Sequence, residues 1–505
     1  MSSSNLNNNL FANYLSQIWT LVMGIIFVPL YISYLGMESY GLIGFYSIMI
    51  AWMGLLDIGM SQTLSREMAR LHGGLHSSES IRDLLRSMEF IAFFFGILIL
   101  FLVYLGSDWL STSYLKANDL PPSTILNSIT IMSFLIVLRY FEGLYRMSII
   151  GLQKQVILGV ITASMATLRS FGAIAVLVFI SPSIEAFFIW QGAMHIITLL
   201  LLGLITYKNL PRIKRHATFS MTAISKVWKF TGGVMSVSFL AFILNQADKM
   251  ILLNFLSLAE YGAYTLAALV AGLISLLTLP VMQAYFPKFS QLIASNDRNQ
   301  LFKMFHESSQ IVTVFIGSIA IIIILYSKPL ILVWTQNEEL ANSVYIILSL
   351  LAIGNLFNSF VSIPYQMQLA YGWTKLSVKV NIFSIIFLIP SLYYLVPIYG
   401  VIGAACSWVI INLGYFIIAM HFMFKKILKS EKWKWYLEDI TIPMIGPLIT
   451  AIIFKALIPF PSIIIWQLIY LLTISIAVLS AAIFSSKYPR YLLLSYLTHL
   501  MHRSR

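Results

Sequence analysis

The sequence predicts an all-α integral membrane protein of about fourteen transmembrane helices, on three observations. Hydrophobic residues make up 59% of the 505 and charged residues only 10%. Apolar runs such as Leu21–Leu35, Ile91–Leu105 and Ala173–Ile180 follow one another along the whole chain. Lys and Arg collect in the short segments between them. A soluble domain of this length cannot hide so much apolar surface. A hydrocarbon core about 30 Å thick takes roughly 20 helical residues to cross. The runs are continuous rather than alternating, which excludes a spanning barrel.

Candidate spans lie at 10–35, 39–63, 87–107, 123–150, 156–180, 185–207, 228–256, 258–285, 307–331, 341–371, 376–397, 399–424, 440–460 and 464–486. Three breaks rest on punctuation by Pro, Gly and Ser inside longer apolar stretches: Ser181–Ser183, Pro397–Gly400 and Pro459–Pro461. The first ten residues hold no Lys or Arg, so 11–35 is expected to be a retained span, not a cleaved leader. The single cysteine, Cys406, allows no disulfide within the chain and no thiolate metal site.

Of the 32 Lys and Arg, 25 fall in the segments 64–86, 151–155, 208–229, 286–306, 372–379, 425–439 and 487–505. Cytoplasmic loops gather positive charge, so both termini are expected in the cytoplasm, which requires an even number of spans. The net charge of +13 thus reports membrane topology, and no nucleic-acid partner is expected. The segment Tyr491–Arg505 is expected at the membrane interface.

An internal repeat appears at an offset of 221 residues. Leu35, Tyr40, Gly41 and Gln62 recur as Leu256, Tyr261, Gly262 and Gln283, and Gly151 and Lys154 as Gly372 and Lys375. Six spans separate the copies, so both point the same way through the bilayer. The expected organisation is an N-terminal six-helix lobe (1–207), a basic linker (208–227), a C-terminal six-helix lobe (228–424), a basic loop (425–439), an added helix pair (440–486) and a basic tail (487–505). A central cavity between the lobes follows from this pattern.

Charges inside the spans are the candidate functional residues. Arg139, Glu142 and Arg146 are spaced i, i+3, i+7 and share one helix face. Arg169 on the next helix lies at a similar depth, about 21 Å from the cytoplasmic end against about 18 Å for Arg139. An arginine at a helix centre in the bilayer costs roughly 3 kcal/mol or more, so three retained arginines point to an anion handled within the membrane. Guanidinium suits phosphate, because its fork donates bidentately and keeps its charge. The alternative is a buried Arg–Glu–Arg lock between helices. The second copy carries Phe360, Ile363, Met367 and Pro390 at these positions, so the charges belong to the first lobe alone. Lys249 is a further cation for such a site. Asp57, Glu142, Asp248 and His195 are candidates for ion coupling or gating, with H⁺ or Na⁺ as the ion; His195 and Asp248 equally suit structural hydrogen bonding. Asn355 and Asn358 read as bonds between helices. There is no G-x-x-x-x-G-K-[ST] loop, no metal-spaced His or Cys pair and no long outer loop, so no ATP site, metal or other cofactor is expected.

Three stretches carry a family resemblance. Phe27-Val-Pro-Leu-Tyr31-Ile-Ser-Tyr-Leu-Gly36-Met-Glu38-Ser-Tyr40-Gly41, with Leu55-Leu-Asp57-Ile-Gly59, resembles the amino-terminal signature of bacterial O-antigen and capsular polysaccharide-unit flippases. Asp248-Lys249-Met-Ile-Leu-Leu-Asn through Tyr264, and Tyr399-Gly400-Val-Ile-Gly403-Ala-Ala405, are similar to the same family. The resemblance implies two lobes, alternating access, a cationic lumen and an undecaprenyl-pyrophosphate-linked oligosaccharide carried across the bacterial inner membrane. It further implies membrane lipids, a polysaccharide polymerase and a chain-length regulator as partners. The added pair at 440–486 is similar to the fourteen-helix members. A multidrug or toxin extruder of the same fold is the second reading, and a membrane-embedded glycosyltransferase or polymerase the third.

Overall fold

A computed structural model of the protein describes residues 3–56, 60–72, 77–212, 215, 217–221, 242–243 and 246–503. The secondary structure there is helical, apart from one isolated bridge between Lys116 and Ser257. Ten helices are long and apolar enough to cross a membrane, or eleven if the bent pair Tyr14–Ile26 and Val28–Gly54 counts as one span. The chain is thus a multi-pass membrane protein. Most of the span expected at 228–256, and Asp57, lie outside the described residues, so the figure of fourteen stays an expectation.

The chain forms two compact units, Met1–Gly262 and Ala263–Arg505. The first contains α1 (Ser3–Ile26), α2 (Val28–Leu56), α3 (Met60–His72), α4 (Ser78–Trp109, continued by a π turn Leu110–Tyr114), α5 (Pro122–Gly151), α6 (Gln155–Phe179) and α7 (Ile184–Asn209). Its boundary falls beyond the 208–227 linker because the helix at 246–255 is tied to the first unit. Tyr114 Oη donates to the Met250 carbonyl (2.8 Å) and Lys116 Nζ to the Asn254 carbonyl (2.6 Å). α8 (Leu258–Ala294) leads into the second unit. There follow α9 (Arg298–Leu325), α10 (Ser327–Thr335), α11 (Glu338–Ala370), α12 (Lys375–Gly414), α13 (Met420–Lys426), α14 (Ile442–Leu457), α15 (Ile464–Ser485) and α16 (Lys487–Arg503).

The punctuation read from sequence coincides with real breaks. α6 ends at Phe179, and Ser183 caps α7 by accepting from the Ala186 amide at 3.3 Å. Gly36 (φ 79°) and Gly400 (φ 55°) interrupt α2 and α12 in left-handed conformations that a side chain disfavours. One helical run, Lys375–Lys426, is 52 residues long and bends at Gly400. Straight, it would measure about 78 Å, more than two bilayer cores.

One element departs from the expectation of a loop over 64–86. α3 occupies 60–72 and α4 begins at Ser78. α3 has no continuous apolar run, yet Met60, Leu64 and Met68, four apart, are all buried. Its polar side carries Arg66 and Arg70, which pair with the buried Glu67. It packs against α5 and α4.

The repeat has a structural signature. A Cβ on Gly41 would lie 2.2 Å from the Leu258 carbonyl oxygen, and one on Gly262 2.7 Å from that of Met37. Positions 37 and 258, like 41 and 262, are related by the 221 offset, so the two glycines make reciprocal backbone contacts. Gly41→Ala is expected to destabilise the protein by about 1–3 kcal/mol, because backbone must move to admit the methyl group. Thermal unfolding of the purified protein in detergent checks this, and an unchanged transition would refute the close contact. Nearby, the buried Glu38 carboxylate accepts from the amides of Asn118, Asp119 and Leu120 at 2.6–3.0 Å, which fixes the connector between α4 and α5.

In the second unit α9 is the central helix, packed by α11, α14 and α15. Its end joins a core of Ile321, Ile322, Tyr326, Ile474 and Val478. At its start the buried His306 bridges two acids: Nδ1 to Asp439 (2.5 Å) and Nε2 to Glu431 (2.8 Å). Gln310, one turn on, donates to Asp439 (3.0 Å) and accepts from the Tyr488 amide (2.9 Å). These bonds tie the 425–439 segment and the tail to α9. Burial works to raise the Glu431 carboxyl, but hydrogen bonds from His306 and Ser430 outweigh it and hold the group below its usual range.

Candidate functional site: an arginine cluster in the first unit

α5 is packed by α7, α3 and α4, so charges along it meet several neighbours. Glu142 is 5% exposed and faces α7, where the 2% exposed His195 meets it with Nδ1 2.8 Å from Oε1. This is the carboxylate that sequence spacing set beside Arg139 and Arg146. The structure directs it to the histidine. Among the described residues, no carboxylate oxygen lies within 4.0 Å of Arg139, Arg146 or Arg169, so the Arg–Glu–Arg lock does not form.

The three guanidiniums nevertheless form one group: Arg146 and Arg169 lie within electrostatic reach of Glu142, of Arg139 and of each other. Arg146, half-buried, donates from Nη1 to Thr162 Oγ1 on α6 at 3.1 Å. Arg169 is half-buried as well, and its Nε is a buried donor with no acceptor. Its backbone carbonyl accepts from Trp190 Nε1 at 3.2 Å, and that indole lies over Gly172, where a Cβ would be 2.1 Å from Cζ2. Arg139 is exposed. The Tyr46 hydroxyl on α2 sits beside it without the alignment of a good hydrogen bond. A half-buried guanidinium with no carboxylate within 4.0 Å among the described residues needs water or an anion as its partner.

The other candidates stand apart. Lys249 is on the helix at 246–255, and its ammonium donates to Gln246 of the same helix at 3.3 Å. Its neighbour Asp248 is buried. Asp57 lies outside the described residues. Asn355 donates to the Ala271 carbonyl and accepts from Trp408, while Asn358 donates to Asn412, as bonds between helices require. In the second copy the counterpart of Arg139 is Phe360, and that of His195 is Phe416. Their rings lie 5.9 Å apart, so aromatic packing stands where the first copy has charge. The first unit also holds an apolar cavity of about 340 Å³ lined by Phe45, Ile48, Trp52, Ile99, Trp109 and Met250, among others.

The chain is similar to several known proteins. The family model described as polysaccharide biosynthesis protein matches residues 6–293, more than half of the chain, and the MatE model matches 234–394. A putative O-antigen transporter of Shigella flexneri is 25% identical over 377 residues, which cover 74% of this chain and 87% of that protein. Among solved structures, the lipid II flippase MurJ in an inward closed conformation superposes with a TM-score of 0.68 at 17% identity, covering 96% of this chain and 99% of that one. An inward-facing multidrug resistance MATE family transporter of the MOP superfamily gives 0.62 at 13% identity, covering 84% and 99%. The protein is a multi-pass membrane protein that belongs to the polysaccharide biosynthesis protein family.

Proposed function

We propose that the protein is a flippase that carries an undecaprenyl-pyrophosphate-linked oligosaccharide, an O-antigen or similar surface-polysaccharide unit, from the cytoplasmic to the periplasmic leaflet of a bacterial inner membrane. The observation that carries this reading is a group of three arginines with no carboxylate oxygen within 4.0 Å among the described residues, and a buried Arg169 Nε that meets no acceptor. Arg139, Arg146 and Arg169 replace the hydration of the diphosphate while the polyprenyl tail remains in lipid. Both termini lie in the cytoplasm, and a polymerase and chain-length regulator act on the delivered unit. Alternating access moves the headgroup. The energy comes from the ion gradient, in which one charge crossing 100 mV is worth about 2.3 kcal/mol.

The test is reconstitution of the full chain in liposomes that contain a fluorescent polyprenyl-diphosphate oligosaccharide. Protein-dependent movement of label to the quencher-accessible leaflet, inhibited by a short-chain polyprenyl diphosphate, is the expected result. Label that stays where it was placed would refute the reading. The apolar cavity and the MatE match support the second reading, extrusion of an apolar cation. In that case efflux of a lipophilic cation, and no movement of the labelled glycolipid, would be measured in the same vesicles.

A further inference from the structure

We infer that Glu142 and His195 form a proton-binding pair linked to the arginine cluster, so that the protein takes up a proton when a diphosphate binds. The inference rests on the diphosphate reading above and adds to it a partner ion and a site.

The argument starts from the contact. The imidazole Nδ1 and the carboxylate Oε1 are 2.8 Å apart, with both residues nearly excluded from solvent. One proton lies between them. A second proton, on Nε2, converts the pair from net negative to neutral. The charges that surround the pair come from several elements. α5 supplies Arg139 and Arg146, α6 supplies Arg169, and α2 supplies the Tyr46 hydroxyl. On α4, Glu89 is already engaged by Tyr145 (2.8 Å), Tyr207 (2.7 Å) and Arg86 (3.0 Å).

Without a ligand, three cations therefore face one carboxylate. A bound diphosphate brings negative charge into the group, and the cationic form of His195 then fits where it did not before. By reciprocity, lowering the pH must strengthen diphosphate binding by the same factor. One linked proton sets an upper limit of about tenfold in affinity per pH unit.

Full-length protein in nanodiscs, titrated calorimetrically with farnesyl diphosphate from pH 6 to 8 in two buffers of different ionisation heat, tests this. Wild type is expected to gain up to about tenfold in affinity per unit of falling pH. Its proton uptake should approach one per ligand beyond the ligand's own titration, measured in the absence of protein. In Glu142→Gln and His195→Asn that excess is expected to vanish. If one variant fails to fold, the other serves; if both fail, the wild-type excess decides alone. Binding by wild type with no excess uptake overturns the linkage and leaves the diphosphate reading standing. An absence of binding at every pH overturns both.

Discussion

Cells that lack the native protein and carry Arg139→Ala with Arg169→Ala are expected to display almost no surface polysaccharide, although the variant inserts normally. Each guanidinium supplies charge-assisted hydrogen bonds, worth about 1.5–3 kcal/mol to a charged acceptor. Losing one therefore lowers affinity roughly 10- to 100-fold. Folding is spared, because no carboxylate is left stranded: Glu142 keeps its bond to His195. The lysine substitutions separate two causes. Lys keeps the positive charge but loses the fork. Partial recovery with Arg169→Lys fits bidentate binding, and full recovery reduces the cluster to a simple positive potential. Normal polysaccharide from both single alanine variants, with membrane levels verified, would sink the diphosphate clamp.

The second large effect concerns stability. Asp439→Leu removes the 0% exposed acid that accepts from His306 and Gln310. Each buried donor left unsatisfied, here His306 Nδ1 and Gln310 Nε2, costs about 1–3 kcal/mol, while His306 keeps its bond to Glu431. His306→Leu is expected to cost a similar amount. The double variant should cost less than the sum, since it removes both needs at once. Thermal unfolding of purified protein in detergent measures all three, and strict additivity would contradict the network.

The same tie has a predictable acid limit. The Glu431 carboxyl is held below its ordinary value of 4.5 by His306 and Ser430 against the opposing effect of burial. Its stabilising contribution is therefore complete above that ordinary value. It is lost as pH falls through the lower folded-state value. Glu431→Gln should flatten this part of the stability profile.

Much of the architecture is legible in the residues, because a bilayer imposes its demands locally. Each span must be apolar over its own length, so the ends of α6, α7, α14 and α15 follow from Ser181–Ser183 and Pro459–Pro461 without knowledge of neighbours. The helix α3 escapes that logic. It is half polar, and its apolar positions are recognisable only by the four-residue spacing of Met60, Leu64 and Met68, which becomes decisive once α5 and α4 are there to cover them.

Charge pairing is a different matter. The sequence alone determined that the first repeat holds three arginines and one glutamate within its spans, and set the expectation that Arg139 and Arg169 lie at similar depth, since depth follows from helical rise. Only the tertiary structure decided whose partner the glutamate is: rotation and packing of α7 bring His195, 53 positions away, onto Glu142. It likewise joined His306 to Asp439 across 133 residues. Local spacing specifies which side chains share a helix face. Which neighbour that face meets depends on helix packing, and that choice directed the Glu142 hydrogen bond to His195 rather than to an arginine.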